Sequence, residues 1–191
     1  AEAEAWWTSW SRACTYEGPW RDAVIGSLVT LKALTYLPTG GIVAAVTTSL
    51  PEAIGGIRNW DYRFCWLRDA TFTLYALMTG GYTEEACAWR EWLMNAVAGS
   101  PSEIQTMYGL AGERRLTELE LGCLPGYEGA SPVRIGNAAY NQHQLDVYGE
   151  VVDAVARFVV HGGHLDNDTE QLLDGIGHTV CSRWREADEG I

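Results

Sequence analysis

Two glycine pairs, Gly80-Gly81 and Gly162-Gly163, constrain this chain more than any other feature. Each ends an apolar pattern of helical period, and each is followed within a few residues by another such pattern. A helix interior tolerates such a pair poorly, and a connection this short turns the next helix back antiparallel. The chain therefore reads as helical hairpins. The spacing predicts a helix from about Arg68 that carries Phe72, Tyr75 and Met78 up to the first pair. Thr83 stands as N-cap of the next, with Glu84 and Glu85 in the favourable first turn and Trp89, Leu93 and Val97 along one face. A longer helix from about Asn141 carries Leu145, Tyr148, Val152, Val155 and Val159 to the second pair, and Asp168 caps a last one with Leu172, Ile176, Val180 and Trp184. Upstream, Trp6 to Cys14 form one helix, and Pro19 at a first helical position opens another with Val24, Leu28, Leu31 and Thr35. The fold class is all-α, and no sequence period marks a solenoid.

Two connections are too long to be simple turns: roughly Pro38 to Leu67 and Gly99 to Tyr140. Connections beyond about 12–15 residues in compact domains are usually functional or disordered. Both are rich in aromatic residues and short of charge runs, so they are expected to be ordered and to build a binding face on the helical scaffold. The densest stretch is Asn59-Trp60-Asp61-Tyr62-Arg63-Phe64-Cys65-Trp66-Leu67-Arg68-Asp69. Flat aromatic faces beside bidentate hydrogen-bonding charges suit an uncharged, polyhydroxylated ligand, whose C–H faces stack while its hydroxyls bridge carboxylate and guanidinium. Asp69 suits the positive end of the helix dipole and Arg68 does not. Two explanations fit an arginine held there: contact with a ligand, or an ion pair with Asp61. The second stretch, Gly126 to Asn137 and on through Tyr140, Asn141, Gln142, His143, Gln144 and Asp146, places amides and carboxylates at a helix start. It fits a hydroxyl-binding rim or an ordinary capped helix.

Composition narrows the function. A formal charge of −12 disfavours a surface that tracks phosphates, so no nucleic-acid partner is expected. No apolar stretch approaches the roughly 20 residues that span a bilayer, and the start lacks a basic signal-peptide region, so no membrane partner is expected either. Five widely spaced cysteines without a C-x-x-C pair read as buried free thiols, and with the absent signals they lead to an expected cytoplasmic location. Ala1 in place of Met reads as a chain processed or cut from a longer one. His161 and His164 flank a helix-ending glycine pair with no third ligand nearby, so no metal is expected. No cofactor is expected, because no phosphate loop or nucleophile elbow is present. Nine Trp in 191 residues is the compositional oddity, and carbohydrate sites and large helical cores both use that residue.

The runs Pro38-Thr39-Gly40-Gly41-Ile42-Val43-Ala44-Ala45, Thr48-Ser49-Leu50-Pro51-Glu52 and Asn59 to Asp69 resemble bacterial glycoside hydrolase family 15. So do Pro132-Val133-Arg134-Ile135-Gly136-Asn137-Ala138-Ala139, Gln144-Leu145-Asp146 and Tyr148-Gly149-Glu150. The family contains glucoamylases, glucodextranases and bacterial trehalases. The resemblance implies an (α/α)6 toroid of helical hairpins, with 1–191 as a single partial domain, the first half of the catalytic one. It implies inverting hydrolysis of terminal α-glucosidic bonds, by an acid and a base about 6.5–9.5 Å apart. By the same resemblance, Asp61, Tyr62, Trp66, Arg68 and Asp69 form the glucose pocket, with Arg68 and Asp69 on glucose hydroxyls. Tyr108 and the run from Asn137 through Gln142 to Gln144 are assigned to its rim. Relatives place the general acid in a Trp-Glu pair after an Asp-Glu-Gly-Ile-like turn, here Asp188-Glu189-Gly190-Ile191, and the base further on. No catalytic carboxylate is therefore expected within 1–191, and Glu189 is expected to be turn structure. The partners implied are a small α-glucoside or oligosaccharide and the remainder of the same chain. The isolated 191 residues are expected to be poorly stable and inactive, because half a toroid exposes apolar surface. The alternative is a non-catalytic carbohydrate-binding or regulatory module.

Overall fold

The computed structural model describes residues 2–97 and 101–190. It is all-α apart from four two-residue strands. The helices are α1 (Glu2–Arg12), α2 (Arg21–Ala33), α3 (Leu67–Thr79), α4 (Glu84–Ala96), α5 (Asp146–Val160) and α6 (Asn167–Arg183). The strands form two antiparallel pairs: β1 (Cys65–Trp66) with β2 (Met107–Tyr108), and β3 (Leu119–Glu120) with β4 (Arg134–Ile135). Gly99 and Ile191, which figure in the expectations above, lie outside the described residues.

The hairpins form at the two glycine pairs. Gly81 at φ +96° and Gly162 at φ +92° take the left-handed conformation that lets α3 turn into α4 and α5 into α6. Between hairpins, α3 and α5 run parallel. Arg68 meets Asp146, Thr71 Oγ1 donates to the Glu150 carbonyl at 3.3 Å, and the Arg157 guanidinium lies 4.0 Å from the Tyr75 ring centre. Rising numbers on one helix match rising numbers on the other. Helices α4 and α6 are joined where Arg90 reaches Asp166 and Thr169. One apolar core unites these four helices through Leu74, Trp89, Leu93, Tyr148, Val151 and Ile176, all nearly or wholly buried. Burying each such side chain contributes about 1.5–3 kcal/mol. Parallel helices linked by antiparallel hairpins are what an arc of an (α/α) toroid requires.

Several expected faces are displaced. In α3 the buried stripe is Leu67, Ala70, Thr71, Leu74, Leu77 and Met78, while Phe72 and Tyr75 face outward. In α5 it is Val147, Tyr148, Val151, Ala154 and Val155, with Val152 and Val159 exposed. In α6, Leu172 and Ile176 are buried, but Val180 and Trp184 are exposed. Helices that are apolar on more than one side fit two stripes, and periodicity cannot choose between them. Helix α5 starts at Asp146 rather than near Asn141, because residues 138–141 form a separate 3₁₀ turn capped by Asn137. Asp166, not Asp168, caps α6, its carboxylate accepting from Thr169 N at 2.9 Å. Thr83 occupies the N-cap position of α4 without a side-chain cap bond. All five cysteines are free, but only Cys14 and Cys65 are buried; Cys87, Cys123 and Cys181 are exposed, contrary to expectation. Among the described residues, no helix is long and apolar enough to cross a membrane.

Candidate functional site

The described residues of the two long connections, 38–67 and 101–140, fuse into one face. Residues 44–49 run antiparallel to 60–64, through Ala44 N to Phe64 O and Ala45 N to Tyr62 O, both 2.9 Å, and a bridge between Thr48 and Asp61. The later connection is stitched on by polar side chains. Ser49 Oγ donates to the Arg134 carbonyl at 2.9 Å and accepts from its N–H at 2.7 Å. Asn59 Nδ2 donates to Pro132 O at 3.1 Å. Arg134 then stacks its guanidinium 4.7 Å from the centre of Trp60 and pairs with Glu118 at 3.1 Å.

Asp61 is the keystone of this seam. Its side chain is wholly buried, and each oxygen is engaged: Oδ1 by Arg63 Nε at 2.9 Å, Oδ2 by Arg63 Nη2 at 2.8 Å and by Gly136 N at 3.1 Å. Its carbonyl accepts from Asn137 Nδ2 at 3.1 Å, and Asn137 Oδ1 caps the 3₁₀ turn through Ala139 N at 3.0 Å. Gly136 sits at φ +76°, and a side chain there would collide with the Thr117 carbonyl, so only glycine brings this N–H onto Asp61. Asp61 and Asn137, expected to hold sugar, are consumed by structure. The expected alternative of an Arg68–Asp61 ion pair is likewise replaced by Arg63–Asp61.

The chain leaves the seam through β1, whose pairing with β2 sets the entry into α3, and Leu67 N donates to Thr106 O at 3.1 Å. Tyr62 and Trp66 then lie with ring centres 5.9 Å apart, in a cluster with Phe64, Met107, Leu116 and Tyr140. Trp66 offers only a thin edge to solvent; Tyr62 is half-buried. Burial raises the Tyr62 pKa, and the nearby Glu52 and Asp69 carboxylates add to it, so the phenol stays protonated at neutral pH. Arg68 and Asp69 occupy the first turn of α3. Arg68 Nη1 donates to Asp146 Oδ2 at 2.9 Å. Its Nε and Nη2 have no hydrogen-bond partner among the described residues, and the side chain is 37 % exposed. Asp69 is an exposed residue, yet desolvation raises its pKa against the lowering pull of Arg68. Burial, then Asp146, raises the pKa of Glu150 one turn further along α5.

Tyr62, Trp66, Arg68 and Asp69 are thus brought together. Tyr108 is not on the rim: it is fully buried behind Trp92, 6.0 Å between ring centres, with its hydroxyl accepting from Gln105 N at 2.9 Å. Gln142 is exposed and accepts from Gln144 Nε2 at 2.8 Å, one residue run away from Asp146. The neighbours of Arg68 and Asp69 on α5 are Asp146, which the sequence places in the stretch that fits a hydroxyl-binding rim, and Glu150, which it names only within a family-like run. Their i,i+4 spacing, which places both on one helical face, is the signal that points to them. Glu189 lies in irregular chain after α6 rather than in a turn, with its N–H on His143 O and its Oε2 accepting from His143 N, both at 2.9 Å. No cluster of three or more His, Cys, Asp or Glu side chains able to hold a metal occurs among the described residues. What remains is a solvent-open edge with unpaired guanidinium donors, a carboxylate, a neutral phenol and aromatic surface. Such a set can hold a polyol without ionising it.

The family described as Glycosyl hydrolases family 15 matches residues 18–191. A trehalase of Mycobacterium tuberculosis is 43% identical over 192 residues, covering 97% of this chain and 28% of that protein. A trehalase of Mycolicibacterium smegmatis is 41% identical over 189 residues, with 97% and 28% covered. One from Thermoplasma acidophilum is 38% identical over 190 residues, with 100% and 32% covered. The chain therefore spans less than a third of the length of these relatives. No solved structure matches it. With a family match running through both fused connections and the hairpins beneath them, the chain belongs to glycosyl hydrolase family 15.

Proposed function

We propose that this chain supplies the glucose-holding wall of an inverting hydrolase of terminal α-glucosidic bonds, trehalase or glucoamylase in type. The observation that carries the proposal is the half-open Arg68, with one guanidinium nitrogen anchored and two others unpartnered beside Asp69 and Tyr62. A fork with fixed direction and free donors binds vicinal hydroxyls better than a mobile lysine would. Asp69 accepts from a neighbouring hydroxyl, the neutral Tyr62 phenol, held by Glu52, lines the wall, and the edge of Trp66 backs the ring. Gripping the terminal sugar at hydroxyls away from the scissile bond lets binding energy orient the anomeric carbon. The acid and the water-activating base, about 6.5–9.5 Å apart, come from residues beyond 191. The trehalases among its relatives favour trehalose as the first substrate to try.

Glucose release from trehalose and from maltotriose, measured on the product of the complete reading frame beside residues 1–191, tests this. Release by the complete product alone is expected, and the better substrate names the type. Saturable glucoside binding without release would replace the hydrolase with a sugar-binding module. The absence of both release and binding would refute the pocket.

A further inference from the structure

Resting on that glucose-pocket reading, we infer that Asp146 is a positioning residue for the reaction: it aims Arg68 at the sugar from the first turn of α5. Three observations carry this. First, the Arg68–Asp146 contact at 2.9 Å is the sole hydrogen bond of that guanidinium among the described residues, so Asp146 alone orients the free nitrogens. Second, the two residues sit on different helices that run parallel, and the match continues down the interface at Thr71 with Glu150 and at Tyr75 with Arg157. Asp146 is therefore held by a packed helix, and its position follows that of α3.

Third, the turn that delivers Asp146 is clamped. Asp188 Oδ2 accepts from Leu145 N at 2.8 Å, Glu189 Oε2 accepts from His143 N at 2.9 Å, and Glu189 N returns to His143 O at 2.9 Å. Arg183 reaches back to Glu186 at 2.8 Å, and Glu186 lies 3.4 Å from His143 Nε2. A surface ion pair with so much clamping behind it is poorly explained as stabilisation, because exposed pairs contribute little to folding. It is well explained as aim. A guanidinium displaced by about 1 Å would miss hydroxyls that a fixed fork meets.

The experiment is a double-mutant cycle in the product of the complete reading frame, with kcat and KM measured on its preferred glucoside for Arg68→Ala, Asp146→Ala, Asp146→Asn and the double alanine variant. Asp146→Ala is expected to lower kcat/KM roughly 10-fold with an unchanged thermal midpoint. Asp146→Asn keeps an acceptor for Arg68 and is expected to recover most of that loss. In the Arg68→Ala background, Asp146→Ala is expected to add nothing. Full multiplication of the two losses, or no loss in Asp146→Ala, would overturn the positioning role. Arg68→Ala without effect would instead overturn the pocket itself, so the two failures are distinguishable.

Discussion

Arg63–Asp61 and Arg68–Asp146 are two arginine–aspartate pairs whose arginines stand five residues apart, and they do opposite things. Asp61 is wholly buried and takes two bonds from its arginine's guanidinium and two from backbone N–H groups, those of Arg63 and Gly136. Asp146 is open to solvent and takes one, leaving its arginine half free. A buried carboxylate with every oxygen occupied has no capacity left for a ligand, and removing it strands the donors around it. An exposed pair contributes little to folding and keeps donors available. Saturation, not residue type, separates the structural pair from the functional one. The Arg90–Asp166 pair lies between them: Arg90 is largely buried, and Asp166 is exposed but also caps α6.

The comparison breaks first at Asp61. Asp61→Ala is expected to cost about 3 kcal/mol of unfolding free energy, because Gly136 N and Arg63 lose their acceptor. Urea denaturation of the product of the complete reading frame checks it, and a midpoint equal to wild type would remove the keystone role. Arg68→Ala is expected to leave that midpoint within about 1 kcal/mol of wild type while lowering kcat/KM roughly 10- to 100-fold. Steady-state kinetics beside the same denaturation series would show whether the two pairs separate stability from activity.

A smaller effect is expected at the intermediate pair. Asp166→Ala removes the α6 cap and the Arg90 contact, and should lower the thermal midpoint by ~2–4 °C. Hydrogen bonds from Thr169 and then Arg90 hold the Asp166 pKa well below the ordinary carboxylate range. A depressed carboxylate contributes stability in full above its unfolded pKa and loses it as pH falls toward the folded value. The gap between wild type and Asp166→Ala should therefore narrow below about pH 4. The smallest effect concerns Glu150, whose pKa is raised by burial and then by Asp146. A raised carboxylate has the opposite sign: once ionised it weakens the fold, and the penalty disappears as pH falls through the folded pKa. Glu150→Gln should thus raise the thermal midpoint slightly at neutral pH, with the gain vanishing in acid. A midpoint unchanged at neutral pH would mean that the open edge does not strain its own carboxylates.

The two glycine pairs and the long connections were legible in the sequence, because punctuation by Gly-Gly is local and connection length is countable. The faces of α3 and α5 were not. Phe72 and Tyr75 have the same apolar character as Leu74 and Leu77, and only the partner helix distinguishes the stripe that meets it. Within the site, Tyr62, Trp66, Arg68 and Asp69 come together as their sequence neighbourhood implies, since eight residues of chain cannot scatter them far. Tyr108, Asn137 and Asp61 share the chemistry of ligand-binding residues, but Asn137 and Asp61 bond across to each other's connection and Tyr108 is buried with its hydroxyl on Gln105 N.

By itself, then, the sequence determined the hairpin punctuation, the all-α class and the family, because these rest on local backbone preference and on motifs read in order. Tertiary structure alone decided which arginine is free. The register of α3 against α5 brings Asp146 to Arg68, whereas Arg63 meets Asp61 two residues away and the seam between the two connections buries that pair and adds Gly136 N. Burial and the bonds that cross between helices or connections depend on residues far apart in the chain, and no local pattern encodes them.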